Sequence, residues 1–108
     1  MGLKQVTTVE LLKKAGKLRV VVGTEPVLLG YHENQVYAIS DLCPHMKASL
    51  FEGSYQDGVI TCPKHHAQID IKTGQIQEKA KLLFIKVPTK KAKTYQVTIK
   101  ENKVYIEV

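Results

Sequence analysis

Cys43-Pro44-His45, sixteen intervening residues, and Cys62-Pro63-Lys64-His65-His66 hold both cysteines of the 108-residue chain and three of its four histidines. Each segment offers one thiolate and one imidazole, with a proline directly after the cysteine. Two cysteines in a domain of this size can form a disulfide or a metal site, or be unrelated. A disulfide suits an oxidising compartment and would leave the histidines at matching offsets unexplained. A structural zinc site takes two cysteines and two histidines tetrahedrally, so ligand type alone leaves zinc open. Order speaks against it, because common zinc motifs pair Cys with Cys and His with His. One of each from each loop suits a dinuclear centre whose two metal ions need different ligands.

Outward from this stretch the chain reads as short strands. Asp57-Gly58 is a hairpin signal ahead of Val59-Ile60-Thr61, and Gln68-Ile69-Asp70-Ile71 alternates before a turn at Lys72-Thr73-Gly74. Cys62 to Ala67 is therefore the tip of a hairpin, and Cys43 to Met46 leaves the end of an earlier strand. Upstream, Leu18–Val22, Val27–Tyr31 and Gln35–Ile39 make a meander, with turns at Gly23-Thr24-Glu25-Pro26 and Glu33-Asn34. His32 is expected as an exposed loop residue. The Thr-x-x-Glu form of Thr7-Thr8-Val9-Glu10 predicts one or two helical turns ended by Gly16. Downstream, Leu82–Val87 is expected as a core strand followed by a basic turn. Tyr95–Ile99 and Val104–Val108, joined by a turn at Glu101-Asn102, are expected as a terminal hairpin with Val97, Ile99, Val104, Ile106 and Val108 facing inward. The expected fold is an all-β single domain over residues 1–108, a small sandwich or partly open barrel.

The formal charge is +6, with many lysines between Lys79 and Lys103. A solvated face or a dock for an acidic protein accounts for them. One arginine, no tryptophan and no aromatics interleaved with basic residues argue against nucleic acid. No run approaches a membrane span, and Met1–Gln5 contains no apolar signal segment, so the expected location is cytoplasmic.

Cys-x-His, sixteen residues, Cys-x-x-His resembles the Rieske motif. Val36–Leu42, Ala48-Ser49-Leu50, the Asp57-Gly58 hairpin and the Asp70-to-Gly74 exit also have counterparts in that family. The resemblance covers roughly residues 17 to 108 and implies a sandwich of three small antiparallel sheets, with two cluster-binding loops at one tip. It implies one [2Fe–2S] cluster, with Cys43 and Cys62 on one iron and His45 and His65 on the other. His66 stands where the family often has glycine, as Lys47 does in the first loop. The Cys-x-x-His spacing assigns the ligand role to His65 and leaves His66 outside the site.

With neutral imidazoles the oxidised cluster is formally uncharged, and reduction gives −1, which raises its potential above that of an all-cysteine cluster. High-potential members add a disulfide and hydroxyl donors near the second loop. This chain has only two cysteines, and that segment reads His66-Ala67-Gln68-Ile69. The expected potential is therefore near the low end of the Rieske range, about −150 mV. Nothing resembles the two histidines and carboxylate of a mononuclear oxygenase iron, and no catalytic triad or phosphate loop is present. The resemblance implies a monomeric, non-enzymatic ferredoxin that passes one electron from a flavin reductase to an oxygenase or other acceptor. The alternatives are a small Rieske subunit of a multi-subunit oxidoreductase resembling nitrite reductase, and a structural-zinc interaction module.

Overall fold

The computed structural model describes residues 2–42, 48–64, 67–78, 81–82, 85–86 and 92–107, with backbone alone between 76 and 86. Strands dominate in chain order: β1 (Leu3–Thr8), β2 (Lys17–Val22), β3 (Glu25–His32), β4 (Gln35–Ser40), β5 (Ser54–Gln56), β6 (Val59–Thr61) and β7 (Gln68–Asp70). They continue with β8 (Ile76–Glu78), β9 (Lys81–Leu82), β10 (Ile85–Lys86), β11 (Thr94–Tyr95), β12 (Val97–Lys100) and β13 (Lys103–Glu107). One helix, α1 (Val9–Ala15), follows β1, and a 3-10 turn occupies Leu50–Glu52. The strands form three antiparallel sheets, ordered β1-β13-β12, β11-β4-β3-β2 and β5-β6-β7-β8, plus the short β9-β10 ladder. The expected all-β sandwich of three small sheets is the fold observed.

Why β3 reads as the continuous apolar run Val27-Leu28-Leu29 follows from its position. It lies inside its sheet and is buried on both faces. On one face Val27, Leu29, Val36 and Ala38 join Leu12 of α1 and Val104 and Ile106 of β13 in one core. On the other, Leu28 and Ile39 join Leu50, Ile60, Cys62, Ala67, Ile69, Ile71 and Ala92 in a second core. Burying each of the larger aliphatic side chains contributes about 1.5–3 kcal/mol. The middle sheet thus separates a terminal layer from the layer that carries the two loops.

Three hairpins turn on the dipeptides expected of them. Glu33-Asn34, Asp57-Gly58 and Glu101-Asn102 all have both central residues at positive φ, the signature of type I′ turns that match strand twist.

Elsewhere the structure corrects the sequence reading. The helix is capped by Thr8, whose Oγ1 accepts from the Leu11 N–H at 3.3 Å, so the cap lies one residue beyond Thr7. Gly16 ends it at φ +85 and donates to the Leu12 carbonyl at 2.7 Å, as expected of a stop signal. β1 was not expected. Glu25 and Pro26 belong to β3 rather than to the preceding turn.

His32 ends β3 half-buried, its ring packed over Gly58, because the β5–β6 hairpin folds against it. Of the expected Leu82–Val87 strand, Leu82 and Ile85-Lys86 belong to two dipeptides, 81–82 and 85–86, that pair antiparallel with each other, while 83, 84 and 87 lie outside the described residues. Tyr95 leaves the terminal hairpin and pairs with Ala38 of β4, while Ile99 is 46% exposed beyond the edge of the core. Val108 lies outside the described residues. No helix among them is long and apolar enough to cross a membrane.

Candidate metal centre

Both loops are closed at their bases by backbone hydrogen bonds. Where β4 ends, the Asp41 N–H donates to the Pro26 carbonyl at 3.0 Å, and the Asp41 carbonyl accepts from the Leu50 N–H at 2.6 Å. Leu42 pairs with Ser49, so the described residues on either side of 43–47 are held together in one narrow neck. The second loop is the tip of the β6–β7 hairpin, as expected. Thr61 pairs with Gln68, and the Cys62 N–H donates to the Ala67 carbonyl at 2.8 Å.

The first neck is organised by a carboxylate. Asp41 is fully buried, and its Oδ1 accepts from the Phe51 N–H at 2.8 Å. Its Oδ2 accepts from Arg19 Nε at 2.8 Å and from Ser49 Oγ at 2.5 Å. A buried charge is tolerated only when donors replace its water, and three donors do so here. Entry strand, exit segment and β2 are thereby joined at one side chain.

The two loops meet. Ala48, Ser49 and Glu52 on the exit of the first, with Pro63 and Lys64 of the second, line a cavity of about 400 Å³. Behind it, a Cβ on Gly53 would stand 1.8 Å from the Thr61 carbonyl oxygen and 3.2 Å from Pro63 Cδ. Only glycine allows the segment after the first loop to lie this close to the start of the second.

Cys62 is the one expected ligand among the described residues; Cys43, His45 and His65, like His66, lie outside them. Its thiol is free and fully buried, in the core formed with Leu50, Ile60, Ala67 and Ile69. A thiolate in such surroundings needs a bound cation for compensation, which suits a metal ligand and not a surface thiol. His32 ends β3, its Nε2 3.4 Å from Glu33 Oε1. No group of three metal-ligating side chains occurs among the described residues.

Reading the sequence missed the roles of Asp41 and Lys17. Lys17 Nζ donates to the Phe51 and Gly53 carbonyls at 2.5 and 2.6 Å. Asp41 gives a faint sequence signal as an acid directly after an apolar strand, whereas Lys17 gives none.

The Rieske [2Fe-2S] domain family matches residues 3–96. The 3-phenylpropionate/cinnamic acid dioxygenase ferredoxin subunit of Photorhabdus laumondii is 35% identical over 104 residues, 95% of this chain and 91% of that protein. The ferredoxin of carbazole 1,9a-dioxygenase from Nocardioides aromaticivorans superimposes with a TM-score of 0.79 at 26% identity, over 98% of this chain and 97% of that one. A chain from the complex of reduced oxygenase and oxidized ferredoxin in carbazole 1,9a-dioxygenase gives 0.79 at 30% identity, over 96% and 100%. These relatives are ferredoxins or a ferredoxin–oxygenase complex, and the family match decides for an iron–sulfur cluster over zinc. The chain belongs to the Rieske [2Fe-2S] domain family and carries a single [2Fe–2S] cluster.

Proposed function

We propose that residues 1–108 form one Rieske domain in which Cys43 and Cys62 bind one iron and His45 and His65 the other. The protein is an electron carrier and not itself a catalyst, like the ferredoxin components it resembles. Its acceptor is an oxygenase, its donor a flavin reductase, and it works as a cytoplasmic monomer. The reading is carried by the free, fully buried thiol of Cys62 at the base of a loop that meets the exit of the first.

When bound, the cluster supplies reversible one-electron transfer at fixed protein geometry. The chain's own part is positioning. Asp41 closes the first neck, the Cys62–Ala67 bond closes the second, and Gly53 lets them approach. The apolar side chains Leu50, Ile60, Ala67 and Ile69 keep water from the Cys62 side of the site. Ser49, a hydroxyl near the first loop, is committed to Asp41, and Ala67 offers no hydroxyl at the second. Few donors to sulfur favour a low potential.

Visible and EPR spectra of the protein and of its His45→Ala, His65→Ala and His66→Ala variants test the ligand set. Loss of the cluster in the first two and its retention in the third is the expected result. Loss in His66→Ala with retention in His65→Ala would reassign the ligand. Gel filtration and reduction by a flavin reductase test the monomer and the donor.

A further inference from the structure

β2 is an edge strand whose two faces carry different chemistry. Leu18, Val20 and Val22 pack into the core shared with the terminal sheet. Lys17 and Arg19, two residues apart and so on the opposite face, point to the layer that holds the loops. Arg19 lies across from Leu28, which belongs to the core containing Cys62. Its Nε reaches Asp41 at the neck of the first loop. Lys17 Nζ reaches the Phe51 and Gly53 carbonyls and sits 4.8 Å from the centre of the Phe51 ring.

These contacts hold both ends of one segment. Residues 48–53 leave the first loop and end at Gly53, which rests on the Thr61 carbonyl at the start of the second. The Leu50–Glu52 turn has no side-chain cap of its own. Leu50 packs with Ile60 of β6 in the core, and the bonds to the turn's backbone come from Asp41 and Lys17 outside it.

We propose that Lys17 and Arg19 are positioning residues that set the separation of the two cluster loops by clamping Asp41 and residues 48–53, on either side of the first loop, to the edge of the middle sheet. This deepens the preceding reading and rests on it, since the loops matter here as holders of the cluster. Arg19 acts through Asp41 at the entry, and Lys17 acts through two backbone carbonyls at the exit. Neither touches the cluster.

The test compares Lys17→Met and Arg19→Gln with Lys13→Met, on the exposed face of α1, as control. Three readouts apply to the holoprotein: the EPR line shape of its reduced form, the rate of iron release to a chelator, and amide exchange at Phe51 and Gly53. Each clamp variant is expected to release iron about tenfold faster, as loss of a charged donor implies. Each should also change the EPR line shape and lower Phe51 and Gly53 protection, while the control leaves all three unchanged. Lys17→Arg, whose fork can serve two carbonyls, should restore them and carries the test if Lys17→Met does not fold. Wild-type line shape and release rate in both clamp variants would overturn the proposal, as would fast release from Lys17→Arg. An absent iron–sulfur spectrum in the wild-type protein would instead refute the cluster reading. Amide exchange reports the clamp in either case.

Discussion

Replacing Gly53 with alanine adds one methyl group at the place where the exit of the first loop crosses the start of the second. The new Cβ would lie 1.8 Å from the Thr61 carbonyl oxygen, so the two segments must part by more than an ångström to reach even a tight contact. The obstacle is backbone and cannot rotate away. Gly53 has φ −86 and ψ −177, an extended conformation open to any residue, so the penalty is steric and not conformational. Overpacking of this kind costs about 3 kcal/mol, the upper end of the usual range. In a domain of this size that lowers Tm by roughly 4–8 °C for each kcal/mol.

Gly16→Ala is the matched control. Its φ is +85 and ψ −46, a conformation that residues with a Cβ rarely adopt, and nothing lies within 4 Å of the added Cβ, so its penalty is conformational and not steric, about 1–3 kcal/mol. Urea denaturation gives the stabilities, and visible absorbance per protein gives cluster content. Gly53→Ala should lose both stability and cluster content, whereas Gly16→Ala should lose stability alone. If Gly53→Ala stays within about 0.5 kcal/mol of wild type with full cluster content, the two segments can separate freely and the close approach has no role.

Asp41→Asn keeps the shape but turns a donor-facing oxygen into an NH2 group opposed to Arg19, Ser49 or Phe51; a loss of about 2 kcal/mol by denaturation is expected. Tyr55 and Tyr95 should ionise above the ordinary tyrosine range in an ultraviolet titration. Burial pushes each up to about 12, helped at Tyr95 by its hydrogen bond to Glu25. The neutral forms are favoured by folding, so their stabilisation is complete below the unfolded value near 10 and is lost as pH rises through about 12. Tyr95→Phe should remove one late-ionising group and raise the acid-side value of Glu25, which the Tyr95 hydroxyl and then Lys93 hold down. A redox titration should place the midpoint near −150 mV, at the low end of the Rieske range, and a midpoint well above zero would refute the reading of the missing hydroxyl donors.

What could be read from the chain depended on how local its cause was. The Glu33-Asn34, Asp57-Gly58 and Glu101-Asn102 turns are written in adjacent residues that accept positive φ, and all three were legible. The ligand pattern is equally local within each loop. β1 was not legible: Leu3, Lys4 and Gln5 are exposed, and the strand exists through pairing with β13 at the other end of the chain. The contact pairs around the neck are similarly distant. Asp41 meets Arg19 across 22 residues, and Lys17 meets Phe51 and Gly53 across 34 and 36. Lys93, within the basic stretch from Lys79 to Lys103, is tied to Glu25 at 3.2 Å, so it is partly an internal contact and not simply a docking charge. Residues 79–80, 83–84 and 87–91 of that stretch lie outside the described ones.

The direction in which Cys62 points has a cause several residues away. The Asp57-Gly58 turn pairs Gln56 with Val59, and the β6–β7 register continues with Ile60 opposite Ile69 and Thr61 opposite Gln68. Along β6 and just beyond it, Ile60 and Cys62 are buried while Val59 and Thr61 are half-buried. A slip of one residue would reverse that alternation, carrying Cys62 outward and Thr61 into the core. Ile60 resists the slip because it would leave the core together with Cys62. The ligand proposed here is thus aimed by the same apolar alternation that holds the sheet. Pro63 and Lys64 lie beyond the last ladder pair, exposed on the tip where the loop meets its counterpart.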